Sequence, residues 1–253
     1  MDNIRNKWIL LISILIIFFT LASSYAGFYF KSVDVTIGGM LGVVQIFMPL
    51  IGLMLGYSAI VGEKEKGSLN ALIAHPVSRF DIIFGKIIGN GFILSLSIVI
   101  GFGIGGIVVA FNVPDFDPLG YVLFILSSIL LGLIFLSLSI FFSSFFKTRT
   151  RALGGAILIW LFFFIIYPLI IQIPLFSEYM DPNFNPISFK FPDWYYGASM
   201  ISPSSAYSYF ISINLFDDTV TSFINSGSLL GIMFLWFLIP LQLALLIFDK
   251  KDI

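Results

Sequence analysis

Six stretches without one charged side chain, about 8–30, 35–62, 87–114, 118–146, 152–177 and 219–248, take up most of the chain. Each exceeds the ~20 residues that a helix rising ~1.5 Å per residue needs to cross ~30 Å of hydrocarbon. Backbone N–H and C=O groups find no water in lipid, so a spanning segment must bond them internally, and a helix does so. Only 11% of the residues are charged, against about a quarter in soluble domains. The fold class is therefore an all-α polytopic membrane protein. Its six transmembrane helices lie at about 8–30, 38–61, 87–111, 119–146, 152–173 and 222–248, in one membrane domain covering 1–253. The first run keeps its full length and lacks a small-residue cleavage site near its end, so it reads as a retained span rather than a signal peptide.

The basic residues orient the spans. Arg5, Lys7, Lys64, Lys66, Arg79, Lys86, Lys147, Arg149, Arg151, Lys250 and Lys251 fall on one face of an up-down arrangement, and only Lys31 and Lys190 on the other. Positively charged connections are retained inside. Both termini are thus expected in the cytoplasm and the protein in the cell membrane. The opposite connections carry acids instead, among them Asp34, Asp115, Asp117, Glu178 and Asp181.

One outer connection, 174–218, is much longer than the rest. Pro174, Pro182, Pro186 and Pro192 argue against a single helix there. From Ser202 onward, Ala206, Tyr209, Phe210, Ile213 and Phe216 recur at helical spacing, which predicts a short amphipathic helix lying on the outer surface. Trp194, Tyr195 and Tyr196 suit the headgroup layer, as an aromatic belt over the helix ends.

Several chemistries lack their residues. Ion-coupled carriers keep ionisable groups at mid-membrane, and here every such group lies at a span end or in a connection. With no cysteine and one histidine, His75, the chain offers neither a thiolate site nor a histidine ligand cluster, nor a base beside a nucleophile. No catalytic, cofactor or metal site is expected. "GFGIGG", Gly101–Gly106, fits a dinucleotide fingerprint only formally; inside a span, close helix packing is its meaning. Gly62–Ser68 imitates a phosphate loop without the lysine that would reach the phosphates. Met40, Met48 and Met54 do not share one helical face and read as core packing. Gly38–Gly42 and Gly52–Gly56 are small-xxx-small pairs suited to a helix contact, within the chain or at a dimer seam.

A charged interlude, "GEKEKGSLNALIAHPVSRFDIIFGK", separates the second and third spans, filling 62–86. Leu69, Leu72, Ile73 and Val77 form an apolar stripe of about two turns, ended by His75-Pro76. Ser78 with Asp81 three residues on reads as a capping box that starts the next helix. The expected structure is a short helix across the membrane axis, joined to two spans. Such an element can dock in a partner's groove, with leucines as anchors and charges setting register.

These residues resemble the intracellular-loop signature of type-2 ABC transporter permeases, E-x-E-x-G-[ST]-L followed by P-V-S-R and G-K. Here they are Glu63, Glu65, Gly67, Ser68 and Leu69, then Pro76, Val77, Ser78, Arg79, Gly85 and Lys86. The finish "LALLIFDKKDI" and the outer "SPSSAYSYF" look like the subgroup that includes the permease of nitrous-oxide-reductase (copper enzyme) maturation. One departure is the N-terminus, where seven residues before Trp8 leave little room for the elbow helix of many relatives.

The resemblance implies an exporter's membrane subunit, working as a homodimer with two copies of a separate cytoplasmic ATPase that binds ATP and Mg; nucleic acid has no part. It implies that Glu63, Glu65, Gly67, Ser68, Leu69, Leu72, Ile73, Pro76 and Arg79 form the ATPase-docking segment. Two readings from other classes stay open at this level: a membrane scaffold for metalloenzyme assembly driven mechanically by the ATPase, and a self-contained channel.

Overall fold

A computed structural model of the protein describes residues 2–30, 33–67, 78–112, 116–176, 180, 191–216 and 224–250. Among these, every regular element is helical. Two long helices come first, α1 (Asp2–Phe30) and α2 (Val33–Gly56), and a five-residue α3 (Val61–Glu65) follows. Next are α4 (Arg79–Asn112), α5 (Pro118–Phe145) and α6 (Arg149–Leu161). A π turn (Phe162–Ile166) leads into α7 (Tyr167–Gln172) and a 3-10 turn (Ile173–Leu175). The short α8 (Asp193–Ser199) and α9 (Pro203–Leu215) precede the last span, α10 (Ser226–Lys250). Among the described residues, six segments are long and apolar enough to cross a membrane: Leu10–Phe30, Val35–Glu65, Arg79–Asn112, Pro118–Phe145, Arg149–Leu175 and Ser226–Asp249. Each overlaps one of the six runs read from the sequence, the third beginning earlier, at Arg79.

Helix α5 is the centre of the bundle, packed by α2, α4, α6, α9 and α10. Two thirds of its most apolar window is buried (67%), against 11% for Arg149–Leu175 and 22% for the last span. Lipid tails are as apolar as leucine, so helices in a bilayer associate through close packing and small residues rather than by escaping water. The sequence of α5 fits that role. Its Ser127, Ser128, Ser137, Ser139, Ser143 and Ser144 are all buried. Ser128, Ser137 and Ser144 donate to carbonyls of their own preceding turn, Phe124, Ile134 and Ile140, at 2.6, 2.8 and 3.0 Å.

The Gly101–Gly106 run packs helices together. A Cβ on Gly101 would stand 2.6 Å from the Ile16 side chain, and one on Gly105 2.3 Å from Thr20, so α1 and α4 touch where these glycines lie. Gly106 makes room for the ring of Tyr121, whose hydroxyl donates to the Phe102 carbonyl at 2.8 Å. Met40 and Met48 are buried in the core with Val44 between them, while Met54 faces outward.

Two prolines act differently. Pro49 sits inside α2 without ending it. Pro168 follows the π turn, where the Tyr167 amide reaches back to the Phe162 carbonyl. A proline removes one backbone donor and crowds the carbonyl four residues earlier, and a π turn re-registers the ladder just ahead of it.

The helix expected on the outer surface forms at Pro203–Leu215, but it does not lie on the surface. It packs against α5 and α10, with Ala206, Tyr207, Phe210 and Ile211 buried. Tyr207 is fully buried, its hydroxyl 3.0 Å from Ser128 Oγ of α5, and Gln45 of α2 donates to Ser208. The sequence pattern shows an apolar face but not what covers it; hydroxyl partners on α5 and an amide on α2 let this helix sink among the spans. Of the aromatic trio, Trp194 is exposed and Tyr195 and Tyr196 are half-buried.

Candidate functional site

The charged interlude enters and leaves the bundle at its basic end, and the described residues on both sides of it form one connected polar junction. On the far side the capping box closes as the sequence predicts. The Ser78 amide donates to Asp81 Oδ2 at 3.0 Å and the Asp81 amide to Ser78 Oγ at 3.1 Å, and α4 starts at the next residue, Arg79. Arg79 Nη1 donates to the carbonyls of Phe248 and Asp249 at 2.6 and 2.7 Å. The last carbonyls of a helix have no intrahelical donor. Arg79 therefore ties the start of α4 to the end of α10, its guanidinium 5.8 Å from the centre of the Phe248 ring.

On the near side, the second span breaks between α2 and α3. Such a break frees backbone groups that must find partners, and neighbouring helices supply them. Asn90 of α4 donates to the Leu55 carbonyl at 2.9 Å, and Ser139 adds a second donor, at 2.6 Å, to the Leu53 carbonyl that the Tyr57 amide already holds. Ser143 accepts from the amides of both Ile60 and Val61, at 2.9 and 3.1 Å. The turn is held on two sides.

The acidic pair follows on α3. Glu63 pairs with Lys86 of α4. Glu65 Oε2 lies 2.9 Å from Arg149 Nε, and Glu65 Oε1 accepts from the Arg149 backbone amide at 2.8 Å. Arg149 Nη2 donates to the Gly62 carbonyl at 2.6 Å. Both carboxylates thus engage cations of their own chain. Gly67 then turns the chain with φ +71, the left-handed region that glycine enters without a Cβ penalty. Ser68, Leu69, Leu72, Ile73 and Pro76, with His75 and the short helix expected around them, lie outside the described residues.

The glycine pairs of α2 separate. A Cβ on Gly52 would stand 2.5 Å from the Gly132 carbonyl oxygen, and one on Gly56 2.8 Å from Ser139 Cβ, both on α5. Around Gly38 and Gly42 there is nothing within 4 Å.

Sequence reasoning missed Asn90, Ser139 and Ser143, and used Arg149 only to count charge. A serine in an apolar helix most often bonds its own preceding turn, so nothing in its spacing marks the one that serves another helix. The ion pairs here join charges already sharing one end of the bundle. Among the described residues there is no group of three or more His, Asp or Glu side chains that could hold a metal ion.

Comparison with known proteins places this junction in context. The whole chain, residues 1–253, matches the model of a family described as ABC-2 family transporter protein. A "Probable ABC transporter permease protein NosY" of Stutzerimonas stutzeri is 32% identical over 256 residues, covering 97% of this chain and 87% of the relative. The protein of the same name from Pseudomonas aeruginosa is 36% identical over 178 residues, 66% of this chain and 65% of the relative.

Proposed function

This chain belongs to the ABC-2 family of transporter proteins, and from that premise we propose that it is the membrane subunit of an ATP-driven exporter whose ATPase is a separate chain. Two ATPase subunits bind ATP and Mg, two copies of this permease form the pathway, and no cofactor sits on this chain. The basic end faces the cytoplasm of a cell whose plasma membrane the six helices cross. Residues 63–75 enter a groove of the ATPase, with Leu69, Leu72 and Ile73 as anchors.

One observation supports this best. Both ends of the 68–77 segment are anchored in the bundle, at α3 by Glu63, Glu65 and Ser143 and at α4 by Arg79, which holds the end of α10. A segment meant only as a flexible connection gains nothing from such fixed ends, whereas a force-bearing one needs them. The anchoring also adjusts the roles of two residues: Glu63 and Glu65 hold the docking segment's root while the leucines meet the ATPase.

The test is co-purification of the ATPase subunit of the same transporter, with its hydrolysis rate measured in lipid nanodiscs. Leu69→Asp with Leu72→Asp is expected to abolish both binding and stimulation. Normal binding and stimulation by that double variant would remove 63–75 as the docking element.

A further inference from the structure

The docking segment adjoins spans two and three by chain connection, so its motion passes to those first. We propose that Arg149 is a positioning residue that passes the same motion to α6, tilting Arg149–Leu161 about the π turn at Phe162–Ile166. This rests on the ATPase-coupled reading above and adds the route by which the stroke reaches the fifth span.

Three contacts converge on this residue. Its guanidinium donates to the Gly62 carbonyl at 2.6 Å and lies 2.9 Å from the Glu65 carboxylate. Its backbone amide, at the first residue of α6, donates to the other oxygen of Glu65 at 2.8 Å. One carboxylate therefore holds both the side chain and the helix start, where the N-terminal dipole favours an anion. The cap from α6's own neighbour, Thr148 Oγ1, is long at 3.4 Å, so Glu65 does part of the capping. Gly62 lets the guanidinium come close: a Cβ there would stand 3.1 Å from Arg149 Nε. A displacement of α3 pulls on α6.

The fifth span is built to respond. Within one copy only 11% of its apolar window is buried, against 67% for α5, so tilting it breaks few contacts inside the chain. Midway, the π turn interrupts the regular ladder, with Pro168 just beyond it. Mid-helix irregularities of this kind recur at functional hinges. Between clasp and hinge lies one 13-residue rod.

Because Arg149 and Glu65 are each about one third exposed (35%), their pair contributes little to folding stability. That permits a clean test on the purified permease with its ATPase subunit in nanodiscs. Arg149→Ala is expected to keep ATPase binding within twofold of wild type and to lower the melting midpoint by no more than about 4 °C for the lost Gly62 bond, while stimulation of hydrolysis falls about tenfold. Arg149→Lys, which reaches Glu65 or the Gly62 carbonyl but not both, recovers part of it. The chain has no cysteine, so Glu65→Cys with Arg149→Cys provides a unique pair. Bridging that pair with a short bismaleimide is expected to restore stimulation, a recovery that lost stability alone would not show.

Wild-type stimulation by Arg149→Ala overturns the proposal, and so does loss of ATPase binding, which would make Arg149 a docking residue. Should Arg149→Ala fail to accumulate, Arg149→Lys and the bridged pair decide by the same readings. Failure of the docking reading looks different: the Leu69/Leu72 double variant then still binds the ATPase. A wild-type permease that never alters its ATPase's rate would overturn both.

Discussion

Alanine at Gly52 and alanine at Gly38 are the same substitution on one helix, and the structure expects them to have opposite signs. At Gly52 the new Cβ would stand 2.5 Å from the Gly132 carbonyl oxygen, 3.0 Å from the Leu136 amide nitrogen and 3.2 Å from Phe135 Cβ. Two of these are backbone atoms of α5, so no rotamer change relieves them. Ordinary contact begins at 3.4 Å, which requires α2 and α5 to part by 3.4 − 2.5, or about 0.9 Å. Overpacking of that kind costs about 1–3 kcal/mol. It also stretches the 2.6 Å bond from Ser139 to the Leu53 carbonyl, one residue along from the contact. Alanine's better helix propensity returns up to about 1 kcal/mol, leaving a net loss centred on about 1 kcal/mol. At Gly38 and Gly42 nothing lies within 4 Å, so the propensity gain stands alone. For a chain of this size 1 kcal/mol shifts the melting midpoint by roughly 2–4 °C. Gly52→Ala should therefore melt about 2–4 °C lower, and Gly38→Ala about 2 °C higher. Fluorescence-detected size exclusion after heating, in one detergent, reads both. A Gly52→Ala protein as stable as wild type would refute the α2–α5 contact geometry. A Gly38→Ala protein that loses stability would show that its open face is covered by something, and the second permease copy is the first candidate to examine by cross-linking.

Two further expectations probe other parts of the bundle. Tyr207→Phe keeps the buried ring but loses the hydroxyl beside Ser128, which still donates to the Phe124 carbonyl; the expected cost is about 1 kcal/mol. Tyr207→Ala should cost about 3–5 kcal/mol through the cavity it leaves, and near-neutral melting of both variants would put α9 back on the surface. Ser143→Ala strips the partner from the Ile60 and Val61 amides, an expected loss of about 1–3 kcal/mol. Hydrogen exchange at those two amides should quicken, and unchanged exchange would mean that the turn holds itself.

The split between Gly38 and Gly52 shows why some of the site was legible in the sequence and some was not. Both pairs carry one spacing on one helix, so a pattern rule treats them alike; only the rotation of α2 against α5 tells them apart. The Ser78–Asp81 box was readable because its partners are three residues apart and close within a single turn. Glu65 and Arg149 are 84 residues apart, and charge counting could place them at one end of the bundle without pairing them. For α9 the helix was legible and its burial was not, since an apolar face looks the same whether it meets lipid or Ser128.

From the sequence alone came the six spans, their helical form and the charge imbalance between the two ends. Each of these adds up residue by residue along the chain: the transfer of side chains into hydrocarbon, the internal bonding of backbone groups, and the position of each lysine and arginine. Tertiary structure decided which faces meet, which serines serve another helix, and which cation each glutamate takes. In a bilayer every face of a span is apolar, so hydrophobic period carries no record of orientation. Close fit and the partnering of a few polar atoms settle it, and those exist only once the helices are side by side.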